Sequence, residues 1–300
     1  MQLLNNPVPM LLLLGALLAV AIFAGTRTEW RPSTPFRLAR RRRWGQILTA
    51  SWRMYLARAP LFMAIGVLFI PLGLVVALVE TVLLGGFGLL GVDTTGESAG
   101  WLALLLLAVG TTLTLLGVGL VQAATACAVV EIDEDRPVGA IDAYRLAFAR
   151  IRPLLGGLAI AVAVCVVLAA TWFLIPVAVW LAVRWSLLAQ TVELERHTGR
   201  GGLRRSAQLV RGRWLRVASL VGVSAAVALA VGPFLGAILI FVTAAPLALL
   251  NVVAGVVYAL AMPFVALVTT YVYVDARARG ELEPTTEPGP LPAEIRLAGR

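Results

Sequence analysis

The feature that most constrains this chain is a succession of long apolar runs unbroken by charge, among them Val8 to Gly25, Trp101 to Val130 and Val217 to Phe241. At 1.5 Å of rise per residue, about 20 such residues span the roughly 30 Å hydrocarbon core of a bilayer. Composition agrees: 60% of the 300 residues are hydrophobic and 14% charged, against roughly half and a quarter in soluble domains. The expected fold class is all-α, a polytopic transmembrane helix bundle.

Further candidate spans run from Leu61 to Leu84, Leu154 to Ile175, Val177 to Val192 and Leu250 to Tyr273, making about seven. The fifth is short. Sixteen residues separate Pro176 from Glu193, so it stops early, extends past Glu193 with the carboxylate snorkelling, or belongs to a broken helix. Basic residues test the path, because cytoplasmic loops are enriched in them. All 25 are arginine, and 24 of them fall in segments 26–60, 131–153, 193–216 and the tail after 274. Seven spans put those four segments on one side, which predicts N-terminus out and C-terminus in, in a bacterial inner (plasma) membrane. The opposite connections, including "GVDTTGESAG", contain no arginine. Aromatic residues at span ends, such as Trp44, Trp52, Trp214 and Tyr273 on the arginine side and Trp101 on the other, fit interfacial belts. The first run lacks the preceding charge and cleavage site of a signal peptide, so it reads as an uncleaved helix.

The arginine-side segments resemble one another: "SWRMYLARAPLF", "AYRLAFARIRPLL" and "SAQLVRGRWLRV". In each, a small residue (Ser51, Ala143, Ser206) precedes an apolar residue three later (Met54, Leu146, Leu209) and an arginine seven later (Arg58, Arg150, Arg213). Three copies of amphipathic segment plus helical hairpin account for spans two to seven. Such segments can lie in the membrane interface with arginines meeting anionic headgroups at about 1 kcal/mol per charge. They can equally be cytoplasmic extensions of the spans that set topology.

Chemistry is sparse. Without lysine there is no Schiff base and no phosphate-binding G-x-x-x-x-G-K-[ST] loop, and no G-x-S-x-G elbow occurs. His197 is the one histidine, and "EIDED" at 131–135 reads as a solvated loop opening the second repeat. Cys127 and Cys165 lie inside apolar runs and read as buried, unreactive thiols. No metal site, cofactor or enzymatic activity is expected. Two charges fall inside spans, Glu80 and Arg184, and such residues default to functional candidates because they are costly to bury. The arginine excess is explained by topology, so nucleic acid is not an expected partner.

The stretches "RWGQILTASWRMYLARAPLF" at 43–62 and "RWSLLAQTVELERHTGRGGLRRSAQLVRGRW" at 184–214 resemble the bacterial membrane domain named after glycerophosphoryl diester phosphodiesterase. That family shows a similar "L-R-R-S-W-x-L-V-x-G-x-[FW]" stretch with a glutamate ahead of it, matched by Glu195, while Ala207 stands where an aromatic is usual. The resemblance covers about residues 36–275 and implies a six-helix core. The catalytic barrel joined to this domain in some relatives has no counterpart here, so phosphodiesterase activity does not carry over.

The expected organisation is an N-terminal transmembrane helix (1–25), an arginine-rich linker with an amphipathic segment (26–60), a six-helix membrane domain (61–274) and a disordered cytoplasmic tail (275–300). The expected role is a non-catalytic, lipid-contacting scaffold or partner-binding module. Its candidate anion or lipid contacts are Arg184, Arg204, Arg205, Arg211, Arg213, Arg58 and Arg150. The partners would be anionic headgroups and a further membrane protein. The alternative is a transporter or flippase of an amphiphilic or anionic substrate, with Arg184 as its recognition residue.

Overall fold

The computed structural model describes residues 42–67, 69–89, 100–242 and 247–281. The first expected span and most of the "GVDTTGESAG" loop lie outside the described residues. Every α or 3-10 element among those residues is helical: α1 (Trp44–Ala57), α2 (Ala59–Val67), α3 (Ile70–Leu89), α4 (Gly100–Asp133), α5 (Ala140–Phe148), α6 (Ile151–Ala170), α7 (Ile175–Trp185), α8 (Leu188–Leu194), α9 (Gly199–Val210), α10 (Trp214–Val242) and α11 (Leu247–Glu281), with a 3-10 turn at Trp172–Leu174. Four stretches are long and apolar enough to cross a bilayer: Ala108–Asp133, Ile151–Leu168, Ile175–Leu194 and Gly255–Gly280. Two further apolar stretches, Gly73–Leu83 and Trp214–Ala228, are shorter among the described residues. These helices are those of a membrane-embedded protein.

The three related segments form three short amphipathic helices, and each is followed within three residues by its repeated arginine. Arg58 separates α1 from α2, Arg150 separates α5 from α6, and Arg213 precedes α10. The small residue at the head of each motif is fully buried: Ser51, Ala143 and Ser206. Helices α1 and α9 present a period-3.6 apolar face inward, with Ile47, Met54, Leu209 and Val210 in the core. The second copy departs from the pattern, since Leu146 is exposed and Tyr144 and Ala147 pack inward in its place. The register of α5 is set by Tyr144, whose hydroxyl donates to the Ile65 carbonyl at 3.0 Å.

Helix α11 is the central element, in contact with α10, α4, α2, α1 and α9. Pro263 sits inside it and supplies no N–H for the carbonyl one turn back. The freed Ala259 carbonyl lies against Gly66 of α2, where an added Cβ would come within 2.3 Å of that oxygen. The adjacent Leu260 carbonyl accepts a 2.8 Å hydrogen bond from the Tyr55 hydroxyl of α1.

Several boundaries differ from expectation. The second span is interrupted between α2 and α3, where the Phe69 N–H turns to Gly66 O at 2.9 Å. That leaves the Ile65 carbonyl to Tyr144. The fifth span is a broken helix, α7 then α8, joined where Ser186 caps the Val183 carbonyl through both its N–H and its hydroxyl. Glu193 does not snorkel: it is buried, with Oε2 4.0 Å from Cys127 Sγ. The acidic run 131–135 is in part helical, because α4 continues through Asp133 and Glu131 then pairs with Arg136 at 2.5 Å. Finally, α11 continues to Glu281, past the boundary at 274, and Asp275 is 3% exposed instead of opening a disordered tail.

Candidate functional site

The polar chemistry of the described residues gathers at the arginine-bearing end of the bundle, around two carboxylates, one buried and one half-buried. Asp275, on the last turns of α11, accepts from the Arg42 backbone N–H (2.7 Å), from Arg216 Nη2 (3.1 Å) and from Arg279 Nε (2.9 Å). Arg279 reaches it because four residues along one helix share a face. The Arg42 carbonyl accepts in turn from Arg279 at 2.9 Å and from Arg216. The Arg42 side chain is itself buried, its guanidinium 4.9 Å from the centroid of the Tyr271 ring, a desolvated cation–π contact worth up to about 2 kcal/mol.

Glu195, in the turn after α8, is the second centre. Arg205 of α9 grips it with both edges of the fork, Nε to Oε2 at 2.7 Å and Nη2 to Oε1 at 3.2 Å, the geometry that makes arginine–carboxylate pairs strong. The Tyr273 hydroxyl donates to Oε1 at 2.9 Å, and His197 Nε2 lies 3.1 Å from Oε2. Burial alone would push the Glu195 carboxyl up. The hydrogen bonds from Arg205, Tyr273 and His197 outweigh it and hold the group below the usual glutamate value. Helix α9 is placed for this by Thr198, whose hydroxyl caps Gly201 N–H. It is also placed by close approach to α6, where a Cβ on Gly199 would sit 2.6 Å from Gly157 N and Pro153 O.

Of the arginines singled out from the sequence, three converge. Arg205, Arg211 and Arg213 line one cleft of about 300 Å³ between the α9–α10 turn and the end of α11, together with Gln208, Ala276 and Gly280. Arg213 Nη1 donates to the Ala276 carbonyl at 3.4 Å. The others lie apart. Arg204 is exposed on the outer face of α9, and Arg58 is exposed at the α1–α2 joint. Arg150 is half-buried at the α5–α6 joint, where its charge acts on Glu193. Arg184 stacks on Trp180, 4.4 Å from the ring centroid. Its backbone carbonyl accepts from the Ser206 hydroxyl of α9 at 2.7 Å, and the Trp180 carbonyl accepts from the indole of Trp214 at 3.2 Å. Arg184 therefore lies beside α9 and the start of α10, halfway along the Ile175–Leu194 apolar stretch.

Sequence reasoning missed Asp275, Arg216, Arg279 and Arg42 as one cluster. The signal was present in part, since Asp275 is the first charge after a long neutral run and Arg279 follows at helical spacing. Among the described residues no group of three or more His, Cys, Asp and Glu is placed to hold a metal ion. No protein-family model, curated protein or solved structure matches the chain.

Proposed function

We propose that this chain is a non-catalytic integral protein of a bacterial inner membrane, a scaffold whose arginine-side helices sit in the headgroup layer and contact anionic lipid. In this reading the bundle crosses six times, a first span precedes it, the N-terminus is outside and the C-terminus inside. The resemblance to the membrane domain named after glycerophosphoryl diester phosphodiesterase belongs to the same reading, as does a further membrane protein as partner.

The observation that supports it is the outer surface of α1 and α5. Each helix buries one face in the bundle yet leaves large apolar residues exposed, Trp52 and Leu56 on α1, Ile141, Leu146 and Phe148 on α5. Arginines 53 and 145 stand directly beside them and are exposed. A solvated extension would not keep such pairs, whereas an interfacial helix needs apolar residues for the acyl boundary and arginine for the phosphates. Transport finds less support. The Arg184 guanidinium is already stacked on Trp180, and the cavity of about 190 Å³ between α4, α6, α7 and α8 is walled by apolar side chains apart from Gln122 and Ser186.

The test is an environment-sensitive dye on Ile141→Cys, in a background with both native cysteines replaced, reconstituted in anionic nanodiscs. Blue-shifted emission that is quenched by a lipid-borne quencher supports interfacial seating. Emission typical of water, unquenched, overturns it.

A further inference from the structure

We infer that the groove between α1, α10 and α11 is a lipid site, and that its occupant is an anionic phospholipid with one acyl chain in the groove and its phosphate on Arg53. This rests on the interfacial reading above and gives α1 a defined ligand. The groove has a volume of about 290 Å³, and Leu48, Trp52, Val223, Val227 and Phe264 form its apolar wall. Trp52 and Val227 are exposed, so it is open along its side. The two hydroxyls on it are engaged within their own helices, Thr49 Oγ1 with the Gly45 carbonyl and Ser224 Oγ with the Val221 carbonyl, each at 3.0 Å. The wall therefore offers a polar solute nothing to bond, whereas a hydrocarbon chain needs no bond. Arg53 is the single charged residue among the described residues that line it. It is exposed and has no ion-pair or hydrogen-bonding side-chain partner among the described residues.

The two ends of α1 fix which way the groove runs. Trp44 Nε1 donates to Ser219 Oγ at 2.9 Å, three residues past Arg216, the partner of Asp275. The Tyr55 hydroxyl meets the Leu260 carbonyl, fifteen residues before Asp275 on α11. Helix α1 therefore starts at the arginine-bearing end and leads away from it along α10. Helical side chains lean toward the N-terminus of their own helix, so the Arg53 guanidinium leans back toward the headgroups. Val227, one turn past Val223 on α10, leads the other way, toward the hydrocarbon. Trp52 gives the slot a fixed wall, edge-on to Phe264 at 5.9 Å and stacked on Tyr55 at 6.2 Å, and indole is the ring that favours headgroup depth. A charge at one end and an apolar slot leading inward match the polarity of a phospholipid, and guanidinium pairs phosphate oxygens two at a time. The ammonium of a zwitterionic headgroup would be repelled by Arg53, whereas an anionic headgroup brings no such charge.

The full chain is placed in phosphatidylcholine nanodiscs that carry, at the same mole fraction, either a phosphatidylglycerol or a phosphatidylcholine probe with a photoactivatable diazirine in its acyl chain. Adducts at Val227 and Phe264 are counted by mass spectrometry. In the wild type the phosphatidylglycerol probe is expected to label these positions about fivefold more than the phosphatidylcholine probe. Arg53→Gln should bring the two probes level, and Arg53→Lys, which keeps the charge, should retain most of the preference. Arg200→Gln, which removes an equal charge from α9, should leave the preference unchanged. Arg53 makes no internal bond, so Arg53→Gln should melt at the wild-type temperature, which excludes misfolding as the cause. Val227→Trp fills the slot from an exposed position without touching the charge, and should lower labelling of Phe264 by both probes. Equal labelling by the two probes in the wild type, an undiminished preference in Arg53→Gln, an equal loss in Arg200→Gln, or undiminished labelling in Val227→Trp overturns the site. Absence of adducts at both positions also overturns it, because protein would then cover the groove. If the site fails in any of these ways while the Ile141 dye still reports lipid, the interfacial reading stands. If the dye reports water, that reading fails first.

Discussion

One buried carboxylate, Asp275, joins three stretches of chain that are far apart in sequence, through Arg42, Arg216 and Arg279. Removing it would leave two arginine charges unpaired and the Arg42 N–H without its acceptor. Because both guanidinium groups keep some access to water, at 30% and 26% side-chain exposure, the expected cost of Asp275→Asn is about 2 kcal/mol, below the range for a fully buried pair. Thermal unfolding in detergent measures it. Glu195 makes a different prediction. Its folded carboxyl lies below the ordinary value, so its contribution is fully present above the unfolded glutamate pKa and is lost as pH falls through the depressed folded one. The melting difference between wild type and Glu195→Gln should therefore hold near neutrality and close on acidification below about pH 4; a difference that grows on acidification would contradict the network. At this scale the sequence was partly legible. The stretch "LRRSAQLVRGRW" stood out, but its residues do separate jobs that only the fold reveals: Arg205 holds Glu195, Ser206 holds the Arg184 carbonyl, and Arg211 faces a cleft.

The elements obey a simpler logic, in which short amphipathic helices dock against apolar ones where backbone groups would otherwise be orphaned. Tyr144 covers the Ile65 carbonyl at the α2–α3 break, and Tyr55 reaches Leu260 beside the Pro263 gap. Tyr144→Phe keeps the ring and removes the donor, so a loss of about 1–2 kcal/mol is expected in unfolding measurements. Close packing gives a paired test. A methyl on Gly199 would collide with backbone atoms of Gly157 and Pro153 at 2.6 Å, whereas one on Gly156 meets nothing within 4 Å. Gly199→Ala should cost about 1–3 kcal/mol, and Gly156→Ala, on the same crossing but facing outward, should be neutral or stabilise by up to about 1 kcal/mol. Helix existence was readable because arginine and apolar residues alternate at helical spacing. The breaks were not readable, since the α2–α3 and α7–α8 joints depend on which distant hydroxyl or carbonyl is at hand to complete the hydrogen bonds. Leu146 shows the limit of repeat reasoning: it holds the motif position of Met54 and Leu209, yet Tyr144 takes the core instead.

For the whole molecule, the contacts among Arg42, Arg216 and Asp275 impose a parity that hydropathy does not supply. Segments that touch at one end of a bundle must be separated by even numbers of crossings, because an odd number would leave them on opposite faces of roughly 30 Å of hydrocarbon. Helices α10 and α11 supply a pair between Arg216 and Asp275. Between Arg42 and Arg216, α2 with α3, α4, α6, and α7 with α8 would supply four, which is why we favour six crossings although only four stretches meet the length and hydropathy of a span outright. The broken α7–α8 unit is the one on which the count turns, because Trp180 and Arg184 are already level with α9 and α10. Six crossings with the arginines inside place position 95 outside and position 200 inside. Thr95→Cys should react with a membrane-impermeant maleimide on intact cells, and Arg200→Cys only after the membrane is opened, each in a background without Cys127 and Cys165. Labelling of both from outside would mean an even number of crossings between them and would remove α7–α8 from the list of spans. Labelling of position 200 alone would invert the orientation and take the arginine cleft away from the inner leaflet.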